Sequence, residues 1–289
     1  MLHEFRVTVG PASFRLSSSW AKPIAQMRAL YAGYPAADIP DFNVRLEPVS
    51  PLRRFIRPSA AIDGDYMLPD AAPLPARQGL LGLEMGMNLQ MALGWRRQMI
   101  LHASAVERDG RALIMTGESG SGKSTLSAML GQIAGAQGWR FMGDEFALID
   151  PESGDAVPYP RLISLKNEAI AAMQAASPGG HFGPLMRATP KGDIRHLAPP
   201  PDAIARMDER ARPALLLFPS FGRDAAIRDV PPSEAFMRLT QASTNYVALG
   251  EAGFRALTRF VREVPVRAID YRSGDEAMEL VEQLWSALP

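Results

Sequence analysis

Residues 117–124 read Gly-Glu-Ser-Gly-Ser-Gly-Lys-Ser and match the pattern G-x-x-x-x-G-K-[ST] at every position. A strand pattern, Arg111 to Thr116, precedes this loop, and a helix is predicted to follow from Lys123 to about Ala134. In that context the glycines let the backbone curl until its N–H groups point at phosphate oxygens, and the helix presents its positive end. The segment therefore predicts a phosphate-binding P-loop in an α/β fold.

The loop is expected to bind the nucleotide through side chains as well as through its backbone N–H groups. Lys123 is expected to reach the β and γ phosphates of ATP, and the Ser124 hydroxyl to ligate Mg²⁺. A Gly-rich turn without function is the alternative, but the lysine, the serine and both flanking elements argue against it. The predicted ATP-binding residues are Gly117, Glu118, Ser119, Gly120, Ser121, Gly122, Lys123, Ser124 and Thr125.

An acidic pair, Asp144-Glu145, follows a short strand predicted over Trp139 to Gly143. A nucleotide site needs such a group close to the P-loop to hold Mg²⁺ or the water around it. Two adjacent carboxylates can also be a solvated turn. Because the pair comes one helix and one return strand after the loop, we predict metal binding by Ser124, Asp144 and Glu145, with one carboxylate free to act as a base.

His102 is placed by hairpin arithmetic. If Asp109-Gly110 forms a two-residue turn, residues whose numbers sum to 219 lie opposite each other, and His102 then faces Gly117. A lone histidine in a strand is more often a packed structural residue. The pairing favours a functional histidine that influences proton removal.

The rest of the chain suggests two domains. Residues 1–98 are predicted to be a smaller N-terminal α/β domain of unknown role, with strands near Phe5, Phe14, Val44 and Phe55. Helices are predicted over Lys22 to Tyr31 and over Gly79 to Arg97, and the methionines of the second helix are read as core.

Residues 99–289 are predicted to be the catalytic domain, with a mixed sheet. Its strands are expected over Met99 to Glu107, Phe146 to Asp150, Ala214 to Pro219 and Val264 to Tyr271, besides those flanking the P-loop. Ser273 to Glu276 has the capping-box pattern and predicts a C-terminal helix.

Composition limits the classes of partner. Lys plus Arg and Asp plus Glu both number 31, so the protein has no net charge that would favour binding to nucleic acid or to an anionic membrane. There is no cysteine, which excludes disulfides and thiolate chemistry. No export signal and no apolar run of about 20 residues is visible, so the protein is expected in the cytoplasm. The sequence is also compatible with a homo-oligomer.

The long stretch from Ser177 to Pro201 shows little periodicity of either kind. Such segments are often lids or binding loops, and its cations include Lys191. We therefore interpret it as an acceptor-side lid, against the alternative of a plain surface excursion.

Taken together, Leu101-His102-Ala103, Gly117 to Thr125 and Gly143-Asp144-Glu145 resemble the HPr kinase/phosphorylase superfamily. The resemblance is closer to the bacterial HPr-kinase-related kinase A group, and extends to the lasso-peptide precursor kinases. It implies an HPr kinase/phosphoenolpyruvate carboxykinase-like fold, ATP and Mg²⁺. The catalytic residues that it implies are His102, Lys123, Asp144 and Glu145.

The resemblance continues more weakly through residues 160–168 and 189–192. Those segments supply the acceptor-side candidates Arg161, Lys166, Asn167, Glu168 and Lys191. Thr125 stands where the parent family has Glu, Glu145 replaces a second Asp, and the parent's Gly-rich signature is missing from residues 161–167. The resemblance therefore does not extend to protein HPr as acceptor or to the reverse phosphorylase reaction.

The predicted function is that of an ATP-dependent kinase. The γ-phosphoryl group would pass to a hydroxyl, such as that of Ser, on a peptide, a carrier protein or a small molecule. The alternative is an ATP-binding regulatory module without phosphotransfer. GTPases and ABC-type ATPases are disfavoured because N-K-x-D and L-S-G-G-Q runs are missing. Phosphoenolpyruvate carboxykinases are disfavoured because their chains are much longer.

Overall fold

The computed structural model describes residues 2–68, 71–133 and 137–289. These residues form two compact units. The first unit contains the chain up to Trp95 together with His181–Ala198, and the second contains Arg96–Gly180 and Pro199–Pro289. The chain first passes from one unit to the other between Trp95 and Arg96. Residues 181–198, placed by the sequence analysis in the second domain, lie in the first unit.

The strands, in chain order, are β1 (His3–Val9), β2 (Ala12–Ser18), β3 (Phe42–Pro48), β4 (Ser59–Gly64), β5 (Leu74–Pro75), β6 (Met99–Leu101), β7 (Ala103–Arg108), β8 (Arg111–Thr116), β9 (Arg140–Gly143), β10 (Ala147–Ile149), β11 (Ala156–Val157), β12 (Ile163–Lys166), β13 (Met186–Thr189), β14 (Gly192–Leu197), β15 (Arg212–Phe221), β16 (Ala226–Asp229) and β17 (Val266–Tyr271). The α-helices are α1 (Ala21–Leu30), α2 (Gly79–Gly94), α3 (Lys123–Ala128), α4 (Glu168–Ala176), α5 (Pro201–Ala205), α6 (Pro232–Ala242), α7 (Gly250–Glu263) and α8 (Gly274–Ser286).

The first unit is built on a five-stranded sheet in the order β1-β2-β3-β4-β5. Only the β2–β3 pair is parallel. Helices α1 and α2 pack on this sheet, and Met87 and Met91 of α2 are buried, as predicted for a core helix. Helix α2 approaches β3 so closely that a Cβ on Gly86 would lie 2.3 Å from Val44 Cγ1. The antiparallel hairpin β13–β14 completes the unit.

The second unit is built on a six-stranded sheet in the order β16-β17-β15-β8-β7-β9. Its central strands β17, β15 and β8 are parallel to one another, and the outer pairs are antiparallel. The mixed sheet that the sequence predicts is thus present. Since β8 leads into the loop at residues 117–122, the C-terminal ends of the three parallel strands share one edge with that loop.

A second, three-stranded sheet in this unit has the order β11-β10-β6. The single strand predicted over Met99 to Glu107 is wrong, because the chain changes sheets at His102: β6 pairs with β10, whereas β7 pairs with β8 and β9. At the break the His102 N–H donates to Ala242 O at 2.7 Å. A continuous apolar pattern does not reveal such a change of partner.

Two further sequence predictions differ from the structure. The strand predicted near Phe55 is wrong, since Pro51–Arg54 forms a 3₁₀ helix and Phe55 lies exposed in the turn after it. The segment Ser177 to Pro201 is not irregular throughout, because β13 and β14 lie within it. The predicted end of the P-loop helix, near Ala134, lies outside the described residues; α3 continues as a π-helical turn over Met129–Ile133.

A buried ion pair ties β7 to β9 beside the P-loop strand. Arg140 Nε donates to Glu107 Oε1 at 2.7 Å, and both side chains are almost fully buried. The remaining guanidinium nitrogens donate to Arg206 O and Glu209 O, while Gly110 N donates to Glu107 Oε2. Because its polar atoms have partners, this pair can hold β9, and with it the residues that follow β9, in a fixed position.

None of the helices in the described part of the chain combines the length and the apolar character needed to span a bilayer.

Candidate functional site

The loop between β8 and α3 has the backbone geometry of a phosphate cradle. Gly120 and Gly122 have φ of +88° and +95°, in the left-handed region that favours glycine. At Gly122 the space is also restricted, because a Cβ would lie 2.0 Å from the Tyr271 hydroxyl oxygen. That hydroxyl donates to Ser121 O at 3.2 Å. Strand β17, which ends at Tyr271, therefore helps to fix the loop.

Lys123 is folded back over this loop. Its Nζ donates to Gly117 O at 2.7 Å and to Glu118 O at 2.8 Å, and the residue is buried. Burial lowers the pKa of the ammonium group, and the carboxylates of Asp144 and Glu145 oppose that shift. The cation is therefore held inside the loop and within electrostatic reach of the acidic pair.

Asp144 is the buried member of the acidic pair. It follows β9, and its Oδ1 accepts a 2.6 Å hydrogen bond from the Ser104 hydroxyl. Its other oxygen accepts from Ser164 N at 3.4 Å, and the Ser124 side chain favours the charged form of the carboxylate. Burial, together with the charge of Glu145, raises the pKa of Asp144, and these hydrogen bonds oppose the rise. The carboxylate is thus held by β7 and β12, the two strands that lie against α3.

Glu145 is the more exposed member. Its backbone has φ of +68°, which is unusual for a residue with a side chain. One oxygen lies 3.7 Å from His102 Nδ1, and the other 3.7 Å from Lys166 Nζ. These are ion-pair distances and not hydrogen bonds. A carboxylate, an imidazole and an ammonium group therefore meet at a partly exposed position beside the loop.

The hairpin arithmetic that singled out His102 is confirmed in the strands themselves. Asp109 and Gly110 both have positive φ, as a primed two-residue turn requires, and the pairs run from Arg108–Arg111 to Ala103–Thr116, each summing to 219. The ladder ends there, so His102 lies one residue beyond it. Its backbone oxygen accepts from the Thr116 hydroxyl at 2.9 Å, which keeps it beside the start of the loop.

The other predicted residues are spread more widely. Thr125 is in α3, and Lys166 ends β12. Asn167 and Glu168 are exposed at the start of α4, whereas Arg161 is buried with its guanidinium over the Tyr159 ring. Lys191 belongs to the first unit, in the turn between β13 and β14. The structure therefore brings together His102, Lys123, Ser124, Asp144, Glu145 and Lys166.

Three site residues were missed by the sequence analysis. Ser104 gives the clearest signal, as a polar residue among the apolar positions of β7. Ser164 and Tyr271 have no such local signal. They reach the site only because β12 lies against α3 and because β17 pairs with β15.

Comparisons with known proteins do not establish a family. No family model and no curated protein matches the chain. A solved structure of the Hpr(Ser) kinase/phosphatase from Coxiella burnetii matches 65% of this chain and 92% of its own, at 12% identity and a TM-score of 0.26. A likeness this distant carries no functional argument.

Proposed function

We propose that the second unit is an ATP-dependent phosphotransferase of the HPr-kinase-like type, which moves the γ-phosphoryl group of ATP to a hydroxyl acceptor. The acceptor is a serine of a peptide or carrier protein, or a small molecule. The observation that carries this proposal is that the buried Asp144 accepts hydrogen bonds from Ser104 of β7 and Ser164 of β12, two strands that both pack against α3. This packing places the acidic pair beside the helix that begins at the phosphate loop.

The loop supplies the groups that a triphosphate needs. Its N–H groups and the start of α3 offer partial positive charge, and Lys123 supplies a full charge. The lysine is bonded to loop carbonyls 2.7 and 2.8 Å away. Those carbonyls are exchanged for β and γ phosphate oxygens when ATP binds, which replaces neutral acceptors by charged ones.

Magnesium fits the same place. Mg²⁺ is usually held by one or two protein oxygen ligands, with the remaining positions taken by phosphate oxygens and water. Ser124 and Asp144 would provide one hydroxyl and one carboxylate. Within residues 2–68, 71–133 and 137–289 there is no cluster of three or more His, Cys, Asp or Glu side chains suited to a metal. When bound there, Mg²⁺ would neutralise charge on the phosphates during transfer.

The two carboxylates then have different tasks. Asp144 is buried and accepts hydrogen bonds from the Ser104 hydroxyl and Ser164 N, which suits a fixed metal-side ligand. Glu145 is partly exposed and suits an acceptor-side base. In the transfer the acceptor oxygen forms a bond to the γ-phosphorus, the bond from that phosphorus to the β–γ bridging oxygen breaks, and the acceptor proton passes to Glu145.

His102 and Lys166 flank that base at 3.7 Å each. Both are donors, so they can orient the Glu145 carboxylate in the ground state, and Lys166 can also attract the phosphoryl charge. This arrangement explains why a lysine from β12 and a histidine from the end of β6 point to the same carboxylate.

Transfer from γ-labelled ATP tests the proposal. Wild-type protein, Mg²⁺ and a lysate of its own host should yield a labelled band or metabolite, which also names the acceptor class. Glu145→Gln should lower the rate about 10²- to 10⁴-fold, the usual contribution of a general base. Glu279→Gln, on the exposed face of α8, is the matched control and should transfer at the wild-type rate. Binding of ATP without any transfer would favour a regulatory ATP-binding module instead.

A further inference from the structure

We propose that Phe221 forms the platform on which the base of the bound nucleotide stacks. This inference deepens the proposed function, because it rests on a nucleoside triphosphate occupying the loop at residues 117–124. Phe221 is the last residue of β15.

The strand order gives the nucleotide a direction. In the sheet, β7 and β9 lie on one side of β8, and β15 and β17 lie on the other. Asp144 and Glu145 follow β9, and His102 directly precedes β7. The γ-phosphate and the acceptor therefore belong on the β7–β9 side of β8. A triphosphate held by the loop must then extend its nucleoside toward the ends of β15 and β17.

Phe221 lies at that end, within contact of the loop. A Cβ on Gly122 would be 3.7 Å from Phe221 Cβ. The Phe221 ring also packs edge-on against Tyr271, with centroids 5.8 Å apart. Because the Tyr271 hydroxyl bonds the loop at Ser121, the ring of Phe221 is held at a fixed place relative to the phosphate cradle.

The exposure of this ring is unusual for its strand. The preceding residues Leu215 to Phe218 are almost fully buried, whereas Phe221 is 54% exposed. A single exposed aromatic residue is ordinary on a protein surface. Phe221 differs from such a residue because it lies next to the phosphate loop at Gly122. A base stacked on the ring there would bury apolar surface.

Every nucleobase has a π-face, so a stacking platform contributes affinity without choosing strongly among bases. We therefore expect Phe221 to increase the affinity for ATP and for GTP by similar factors, and to contribute nothing to the affinity for a ligand that lacks a base. Inorganic tripolyphosphate is such a ligand.

Calorimetry with Mg-ATP and with Mg-tripolyphosphate tests this assignment. Phe221→Ala should weaken ATP binding about 5- to 150-fold, which corresponds to the 1–3 kcal/mol of one base–aromatic stack. Binding of tripolyphosphate should change less than twofold. Phe221→Trp should restore ATP binding and show quenching of its fluorescence when ATP is added.

Phe254→Ala is the matched control. Phe254 is 51% exposed and also packs edge-on against another ring, that of Phe236, but it lies on α7. Its replacement should leave both ligands unaffected.

The outcomes are distinguishable. Equal weakening of ATP and tripolyphosphate by Phe221→Ala would mean that the loop itself is disturbed, and unchanged affinity for both would mean that the ring does not touch the base. Either result overturns the stacking proposal and leaves the P-loop function intact. A wild-type protein that binds neither ligand would remove the proposed function and the stacking proposal with it.

Discussion

Gly122→Ala is expected to distort the phosphate loop, for two reasons that can be separated. With φ of +95°, an alanine there takes a left-handed conformation that costs about 1–2 kcal/mol. Its Cβ would also lie 2.0 Å from the Tyr271 hydroxyl oxygen, so the buried ring must move. Overpacking of this kind costs about 1–3 kcal/mol.

The second cost disappears when the hydroxyl is removed. Without that oxygen, the nearest ring atom to the alanine Cβ is Tyr271 Cζ at 3.2 Å, a contact that a small shift relieves. Tyr271→Phe alone loses the hydrogen bond to Ser121 O and should cost about 0.5–1.5 kcal/mol. The double variant should therefore be more stable than the sum of the single changes predicts, by about 1–3 kcal/mol.

Urea unfolding of the wild type, the two single variants and the double variant measures this coupling through tryptophan fluorescence. Calorimetry measures the affinity of the same proteins for Mg-ATP. The double variant should recover part of the affinity that Gly122→Ala loses. If the two changes are additive, or if Gly122→Ala is as stable as the wild type, the close approach of Tyr271 to Gly122 is not present in solution.

Two further predictions concern buried charges. Burial raises the pKa of Asp144, so this group stabilises the fold fully only below its ordinary pKa near 4, and the contribution is lost as pH rises through the folded-state pKa. Asp144→Asn should therefore flatten the pH dependence of unfolding above about pH 4 and raise Tm at neutral pH, and a lower Tm there would contradict the burial argument. Glu107→Ala leaves a buried arginine without its partner and should cost about 3–5 kcal/mol in urea unfolding, whereas Glu4→Ala, in an exposed ion pair, should cost at most about 1 kcal/mol. A loss for Glu107→Ala no larger than for Glu4→Ala would show that the pair does not hold β9.

The local features of the site were predictable from the sequence. The P-loop pattern fixes its own backbone, and the Asp109-Gly110 turn fixes the register of β7 and β8 through two positive φ angles. The capping box is also local, with the Ser273 hydroxyl accepting from Glu276 N at 3.2 Å. Each of these depends on residues close together in the chain.

Features that depend on distant pairing were not predictable. The pattern Asp144-Glu145 suggests a metal or a base but cannot say which residue is buried, since that depends on the pairing of β7 with β9 and on the Ser104 hydroxyl. Likewise, the membership of residues 181–198 in the first unit, with Lys191 among them, follows from contacts across more than 85 residues of chain. Hydrophobic periodicity contains no record of such partners.

Calorimetric titration with Mg-ATP is the most direct measurement of the central claim, that residues 117–124 form a working nucleotide site. Wild-type protein should bind, and Lys123→Ala should lose affinity about 10- to 150-fold or more, because the lysine makes charge-assisted contacts to the phosphates. Lys22→Ala, at an exposed position of α1, should bind as the wild type does. Wild-type affinity in Lys123→Ala would contradict the assignment of the loop.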